Sequence, residues 1–199
     1  MAKALEDVTV LDFSHLLQGP FATQLLGDMG ARIIKVERPG QGDLFRTMTF
    51  KNRWVGGTES PNFLAWNRNK RSLAIDLKAP EAKAALYKIA EKADVVLQNF
   101  RPGVMDRLGF GYEDLRKINP RIIYCSASGY GDSGPYLSRP GQDMLIQGLS
   151  GLSAATGRRS RSAPASPTRS ARSTSSTASS RRSTGASARA RARRSKSTS

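Results

Sequence analysis

Three basic side chains stand where an α/β protein would hold an anion. Arg38 closes one apolar run, Lys78 follows Asp76 after another, and Arg107 lies one helical turn beyond Asn99-Phe100-Arg101-Pro102-Gly103. Arginine and lysine suit phosphate, and a backbone opened by glycine lets a bulky ligand come close. The set fits a phosphorylated, adenine-bearing ligand. Taken singly, each residue has a plainer reading: a solvated charge for the basic groups, a strand-end cap for Asn99, a core aromatic for Phe100. Neither a P-loop nor a GxGxxG fingerprint accounts for the set. His15 is the only histidine, and a lone histidine after a strand reads as structural unless a partner activates it. Gln142 cannot exchange a proton near neutral pH, and Asp143 beside it reads equally as a helix N-cap. No metal site is expected.

The elements that must position these groups alternate in type. Val8–Phe13 is a short β-rich run. Gly19-Pro20 punctuates the chain, and Phe21–Met29 then has helical spacing, with Gly30 placed to stop it. Arg32–Glu37 reads as the next strand, which completes a unit of βαβ length. Thr47–Ser60 is irregular and polar. Ser72–Leu77, Val95–Asn99 and Arg121–Ser126 read as further strands. Pro80–Ala93, with Pro early and Glu81 in its first turn, reads as a helix, as do the shorter Val104–Leu108, Tyr112–Ile118 and Met144–Leu149. The alternation predicts an α/β fold with a Rossmann-like, doubly wound, mostly parallel sheet. Ligands of such sheets lie at the carboxyl ends of the strands, here the loops Ser14–Pro20, Arg38–Gly42, Asn99–Val104 and Ser128–Gly141.

Composition divides the chain at Arg158. The formal charge of the 199 residues is +16, and eleven arginines and Lys196 of the segment 158–199 carry most of it, without a single acid. That segment holds only Ser, Arg, Ala, Thr, Pro, Gly and one Lys. It has almost nothing apolar to bury against the entropy of ordering, so it is expected to be a disordered low-complexity tail. Residues 1–157 are only mildly basic and long enough for one α/β domain with a core. The single cysteine, Cys125, sits in Ile122-Ile-Tyr-Cys125 and reads as a buried small hydrophobe. With no signal-like start and no run of membrane-spanning length, a cytoplasmic chain is expected.

Several stretches together resemble the class III CoA-transferases, of the formyl-CoA:oxalate and acetyl-CoA:oxalate type. They are Leu11-Asp-Phe-Ser-His-Leu-Leu-Gln-Gly-Pro-Phe-Ala-Thr-Gln24, Met29-Gly-Ala-Arg-Ile-Ile-Lys-Val-Glu37 with Pro39-Gly-Gln-Gly-Asp43, Asn67–Lys78, Ala93–Gly103, Asn119–Tyr124 and Ser128–Pro135. The resemblance covers nearly all of residues 5–157. It implies CoA contacts at Leu17 and Gln18, at Arg38 for the nucleotide end, at Ile75 to Lys78, at Asn99 and Phe100, and at Arg107. CoA or acyl-CoA would be a substrate, with no permanently bound cofactor, and a small carboxylic acid would be the acceptor. The family's transferases do not use a histidine at position 15 as nucleophile, so His15 is expected to shape its loop or touch substrate. Related acyl-CoA racemases carry a histidine where Gln142 stands, which disfavours racemisation, and Asp143 matches a position beside the active site.

The family's nucleophile is an aspartate that attacks the acyl-CoA thioester to form a mixed anhydride. Its register falls on Arg172, and the last carboxylate of this sequence is Asp143. The resemblance also implies an interlocked homodimer, which this chain is expected to be too short to form, and a truncated fold with apolar faces left exposed. Three readings follow: an inactive CoA-transferase fragment, a standalone CoA-binding module, or a non-specific binder of nucleic acid or anionic surfaces through the tail. No membrane partner is expected. The tail's alphabet is that of a GC-rich gene read out of frame, which points to a frameshift near the codons for Gly157 to Ser160. Reading the DNA in its other frames should restore an aspartate in the register of Arg172, followed by a helical pattern. If neither frame does so, the frameshift explanation fails.

Overall fold

β-rich runs and helical periods alternate along the chain, and they fold into one parallel sheet whose strand order is β3-β2-β1-β4-β5-β6. The computed structural model describes residues 3–49, 52–155 and 194–198. The strands are β1 (Thr9–Asp12), β2 (Arg32–Glu37), β3 (Lys70–Ala74), β4 (Val95–Gln98), β5 (Ile123–Ser128) and β6 (Arg194–Thr198). The helices are α1 (Gln18–Asp28), α2 (Pro61–Asn67), α3 (Pro80–Ala90), α4 (Val104–Leu108), α5 (Tyr112–Ile118), α6 (Asp143–Leu149) and α7 (Leu152–Ala155), with a 3-10 turn at Leu44–Arg46. From β1 the chain winds outward to β2 and β3, then returns to place β4 on β1's other side. The direction of winding therefore reverses between β1 and β4, and a crevice opens there at the strands' carboxyl ends.

Because side chains alternate across a strand, β1, β2, β4 and β5 each feed two cores. Val10, Ile33, Val95, Leu97 and Cys125 pack with Leu5, Ala22 and Leu26 of the α1 side. Leu11, Phe13, Val36, Val96 and Tyr124 pack on the opposite face with Leu86, Met105, Phe110 and Leu115. Cys125 is buried in the first of these cores, as its apolar context predicts.

Several boundaries differ from the sequence expectation. Gly19-Pro20 does not interrupt the chain; both residues lie inside the first turn of α1. A proline there loses no intrahelical hydrogen bond, because first-turn N–H groups have no partner in any case. Leu17 is thus the helix N-cap and Gln18 its first residue, not members of an open loop. Strand β3 ends at Ala74, so Ile75–Leu77 form the segment beyond it, with Ile75 N–H still donating to the Glu37 carbonyl at 2.9 Å. Helix α2 has no counterpart in the sequence reading, although Ser60 caps it and Pro61 occupies its first turn. Gln142, not Asp143, is the N-cap of α6, and Asp143 is its first residue.

Part of the segment expected to be a disordered tail is described. Arg194–Thr198 is placed as β6, parallel to β5 from Tyr124↔Arg194 to Ser128↔Thr198. A strand can pair on a free sheet edge through backbone groups alone, with no apolar side chain. Residues 158–193, Arg172 among them, lie outside the described residues. Helix α6 exposes Met144, Leu145 and Leu149, in keeping with an apolar face left open. The loop from β5 to α6 is pinched at its stem, where a Cβ on Gly129 would lie 2.3 Å from Gly141 Cα.

A second close approach sets α1 against the end of β1. A Cβ on Gly19 would fall 2.1 Å from Ser14 Cβ and 3.0 Å from a Leu97 methyl. Gly19→Ala should therefore push the helix off the β1 loop and cost about 1–3 kcal/mol, read as a lowered urea midpoint. An unchanged midpoint would show that the approach is not tight.

Candidate functional site

The crevice at the strand ends is a cavity of about 560 Å³. Phe13 and His15 enter it from β1, Val36–Arg38 from β2, Ile75–Lys78 from beyond β3, and Phe100, Val104 and Arg107 from beyond β4. Of the site residues expected from sequence, the fold brings Arg38, Ile75, Lys78, Phe100 and Arg107 to this one cavity. The three cations thus surround an apolar interior of Phe13, Ile75, Leu77 and Phe100. That combination suits a ligand with anionic groups joined to a flat or aliphatic part. Phe100 also packs against the core cluster beneath it, so its two readings hold together.

The other expected residues stand apart from the cavity lining. Leu17 and Gln18 open α1, at the edge of the β1 loop. Asn99 acts on the backbone: its Oδ1 accepts from His15 N–H and its Nδ2 donates to the His15 carbonyl, both at 2.8 Å. This two-bond clamp ties the β1 loop to the β4 loop across the point where the winding reverses. His15 is held there with its ring edge on Phe100, centroids 5.2 Å apart. Burial, with Lys35 nearby, lowers its pKa despite the opposing pull of Asp43, so the imidazole is neutral at pH 7. Asp143 is exposed, accepts from Gln147 Nε2 at 3.2 Å, and does not line the cavity.

Beneath the cavity, on the α1 side of the sheet, lies a group of charges that the sequence reading missed. The Asp12 carboxylate accepts from Ser14 N–H at 2.9 Å, from the Ser14 hydroxyl, and from Thr23 Oγ1 at 2.6 Å. Lys70 Nζ approaches it at 3.3 Å and also donates to the Pro20 carbonyl and to Asn67. Lys35, buried within β2, donates to the Ser14 carbonyl at 2.7 Å. Its ammonium lies 2.8 Å from Asp43 Oδ2, an oxygen held by charge, since no donor among the described residues meets it along a hydrogen-bond direction. Asp43 Oδ1 accepts from Leu16 and Phe45 N–H, and Asp43 N–H donates to Glu37. Arg46 grips Glu37 through two bonds, of 2.7 and 2.9 Å, and Ser72 adds a third. The available signal was Lys35, a charge flanked by the apolar residues Ile34 and Val36 within a strand.

Burial alone would raise the Asp12 carboxyl. Lys70, Lys35 and the two hydroxyls outweigh it and hold the group at about 2. Glu37 is likewise held at about 2, burial being overcome chiefly by Arg46 and Ser72. Burial pulls the Lys70 ammonium down to about 8 against the attraction of Asp12.

Known proteins share both sequence and fold with this chain. The family described as CoA-transferase family III matches residues 5–185, somewhat beyond the motifs legible by eye. An acetyl-CoA:oxalate CoA-transferase of Acetobacter aceti is 48% identical over 73% of this chain and 36% of its own length. The human succinyl-CoA:glutarate CoA-transferase is 47% identical over 75% of this chain and 33% of its own length. Among solved structures, a CAIB/BAIF family protein from Brucella suis superposes with a TM-score of 0.81 at 34% identity. It covers 92% of this chain and 50% of the solved one. The chain thus spans about a third of the length of these curated relatives and about half of the solved structure.

The buried charges make stability depend on acid. Asp12 and Glu37 titrate at about 2 when folded, below their ordinary values of 3.8 and 4.5. Their pairing therefore contributes stability that is complete above about pH 5 and is lost as pH falls toward 2. Urea midpoints measured across that range should fall steeply. Asp12→Asn leaves Lys70 and Lys35 buried without this carboxylate, so it should cost about 3–5 kcal/mol at pH 7 and flatten the acid limb. A limb as steep as in the unaltered chain would show that Asp12 does not carry it.

Proposed function

This chain belongs to CoA-transferase family III, and from that premise we propose that its cavity is a binding site for CoA and acyl-CoA. One observation carries the reading: Arg38, Lys78 and Arg107, far apart in sequence, meet around the apolar surface of Ile75, Leu77 and Phe100. The cations answer the phosphates, and the apolar surface answers adenine and the pantetheine arm. The lining residues among those described fall between Phe13 and Leu108. Asn99 acts in this reading by fixing the loop that carries His15, and Leu17 and Gln18 by setting the start of α1 behind that loop.

The reaction served by such a site is transfer of CoA from an acyl-CoA to a carboxylic acid, of the oxalate, formate, acetate or succinate class. A carboxylate attacks the thioester carbonyl and CoA leaves as thiolate, giving a mixed anhydride. The returning thiolate attacks the enzyme's own acyl carbon in that anhydride, which releases the donor acid and leaves an enzyme-bound thioester. The acceptor carboxylate attacks this thioester, expelling thiolate and giving a second anhydride, and the thiolate then attacks the acceptor's acyl carbon to release the new acyl-CoA and restore the carboxylate. The first step needs a positioned, desolvated carboxylate. Arg172 stands in the nucleophile's register and can form no anhydride. Asp143 is exposed outside the cavity. The chain as written therefore binds CoA without transferring it, and we attribute residues 158–199 to a shift of reading frame. Among the described residues no helix is long and apolar enough to cross a membrane, and the ligand chemistry suits the cytoplasm.

Calorimetric titration of the full chain with CoA at moderate salt tests this. We expect saturable binding that Arg38→Ala or Arg107→Ala weakens about ten- to a hundredfold, and no CoA transfer from acetyl-CoA or succinyl-CoA to oxalate. Binding only to RNA, and only at low salt, would instead favour the tail as the functional part. Turnover by the unaltered chain would refute the claim of inactivity.

A further inference from the structure

We infer that Gln41 is a positioning residue for Arg38, and that the two side chains form a unit reading a phosphate monoester at the rim of the cavity. This rests on the CoA reading above, in which that monoester is the 3′-phosphate. Both residues line the cavity, and both are exposed. Between them the chain folds back: Gly42 N–H donates to the Arg38 carbonyl at 2.8 Å, with Gly40 at φ 77° and Gly42 at φ 66°. The fold-back returns residue 41 to residue 38, and Arg38 Nη1 donates to Gln41 Oε1 at 3.1 Å. The turn is pinned from below as well. A Cβ on Gly42 would meet Arg46 Cδ at 2.5 Å and Glu37 Oε2 at 2.7 Å, so only glycine lets the turn sit on the Glu37–Arg46 pair.

The choice of an amide at position 41 has a chemical consequence. An exposed arginine samples many rotamers, and fixing one on binding costs entropy. The Gln41 oxygen removes part of that freedom beforehand, without neutralising the guanidinium as a carboxylate would. Once Oε1 accepts from Arg38, the Nε2 group still carries two N–H donors. The pair therefore offers mainly donors, and a phosphate dianion offers acceptors only. Two carboxylates line the cavity: Glu37 is already paired with Arg46 and bonded by Ser72, and Asp76 accepts from Lys78 N–H at 3.0 Å, so both are engaged away from the Arg38 guanidinium.

The test is titration of the full chain, Gln41→Ala, Arg38→Ala, the double variant and Gln41→Glu with CoA and with 3′-dephospho-CoA. Gln41 is exposed, so the melting temperature of Gln41→Ala should match that of the unaltered chain. We expect Gln41→Ala to weaken CoA about two- to tenfold and to leave 3′-dephospho-CoA within about twofold. The double variant should lose less affinity for CoA than the two single losses summed, because Gln41 acts chiefly through Arg38. Gln41→Glu should be weaker still than Gln41→Ala, since its carboxylate occupies Arg38 and repels the phosphate. Unaltered CoA affinity in Gln41→Ala, additive losses in the double variant, or equal losses for both ligands would each overturn this inference while leaving the CoA site intact. Failure of the unaltered chain to bind CoA would overturn both.

Discussion

The fold around the cavity depends on charges that have no access to water. Asp12, Lys35, Glu37 and Asp43 are all buried on one side of the sheet, and the ammonium of Lys70 reaches into the same group. Removing such ions from water costs several kcal/mol each, and the cost is offset only where every charge finds opposite charge and hydrogen bonds. The pairing therefore dictates geometry. Lys35 can be satisfied only if the Ser14 carbonyl and the Asp43 carboxylate stand where they do, and Asp43 in turn holds the Leu16 and Phe45 amides. The loop after β1 and the loop after β2 are thus fixed relative to each other from beneath. The cavity residues His15, Arg38 and Gln41 ride on those two loops.

A second constraint acts from above. The two Asn99 bonds to the backbone of His15 join β1's loop to β4's across the reversal of winding. The sheet order alone opens a crevice there; the Asn99 clamp and the buried charges give it fixed walls. The division of labour is clear along β2, where Ile34 and Val36 face the apolar core and Lys35 and Glu37 face the charges. One strand, by its two-residue period, serves both the packing of the domain and the positioning of the site.

Much of this was legible in the sequence for a local reason. Arg38, Lys78, Phe100 and Arg107 could be expected at one crevice because they follow apolar runs, and a parallel sheet gathers the carboxyl ends of its strands. Leu17 and Gln18 were misplaced because Gly19-Pro20 reads as a break, whereas the first turn of a helix accepts both. Helix α2 escaped notice because it is short and declared mainly by its Ser60-Pro61 start. The charge group could not be read at all beyond the oddity of Lys35. Its partners are brought together from Asp12 to Lys70 by pairing across strands, which no local pattern encodes. β6 went unforeseen because a sheet edge can recruit a strand through backbone groups alone, leaving no mark on composition.

The pinch between Gly129 and Gly141 carries an implication for how this architecture can diversify. With the two backbones in contact, the distance from the end of β5 to the start of α6 is set by the stem and not by what lies between. The intervening segment can then change in length or sequence as an interchangeable cassette, without disturbing the sheet or the helix. The requirement falls wholly on the two glycines, since a methyl on either would force the stem apart. A family that varies its chemistry on a constant sheet could use such a stem as a graft point.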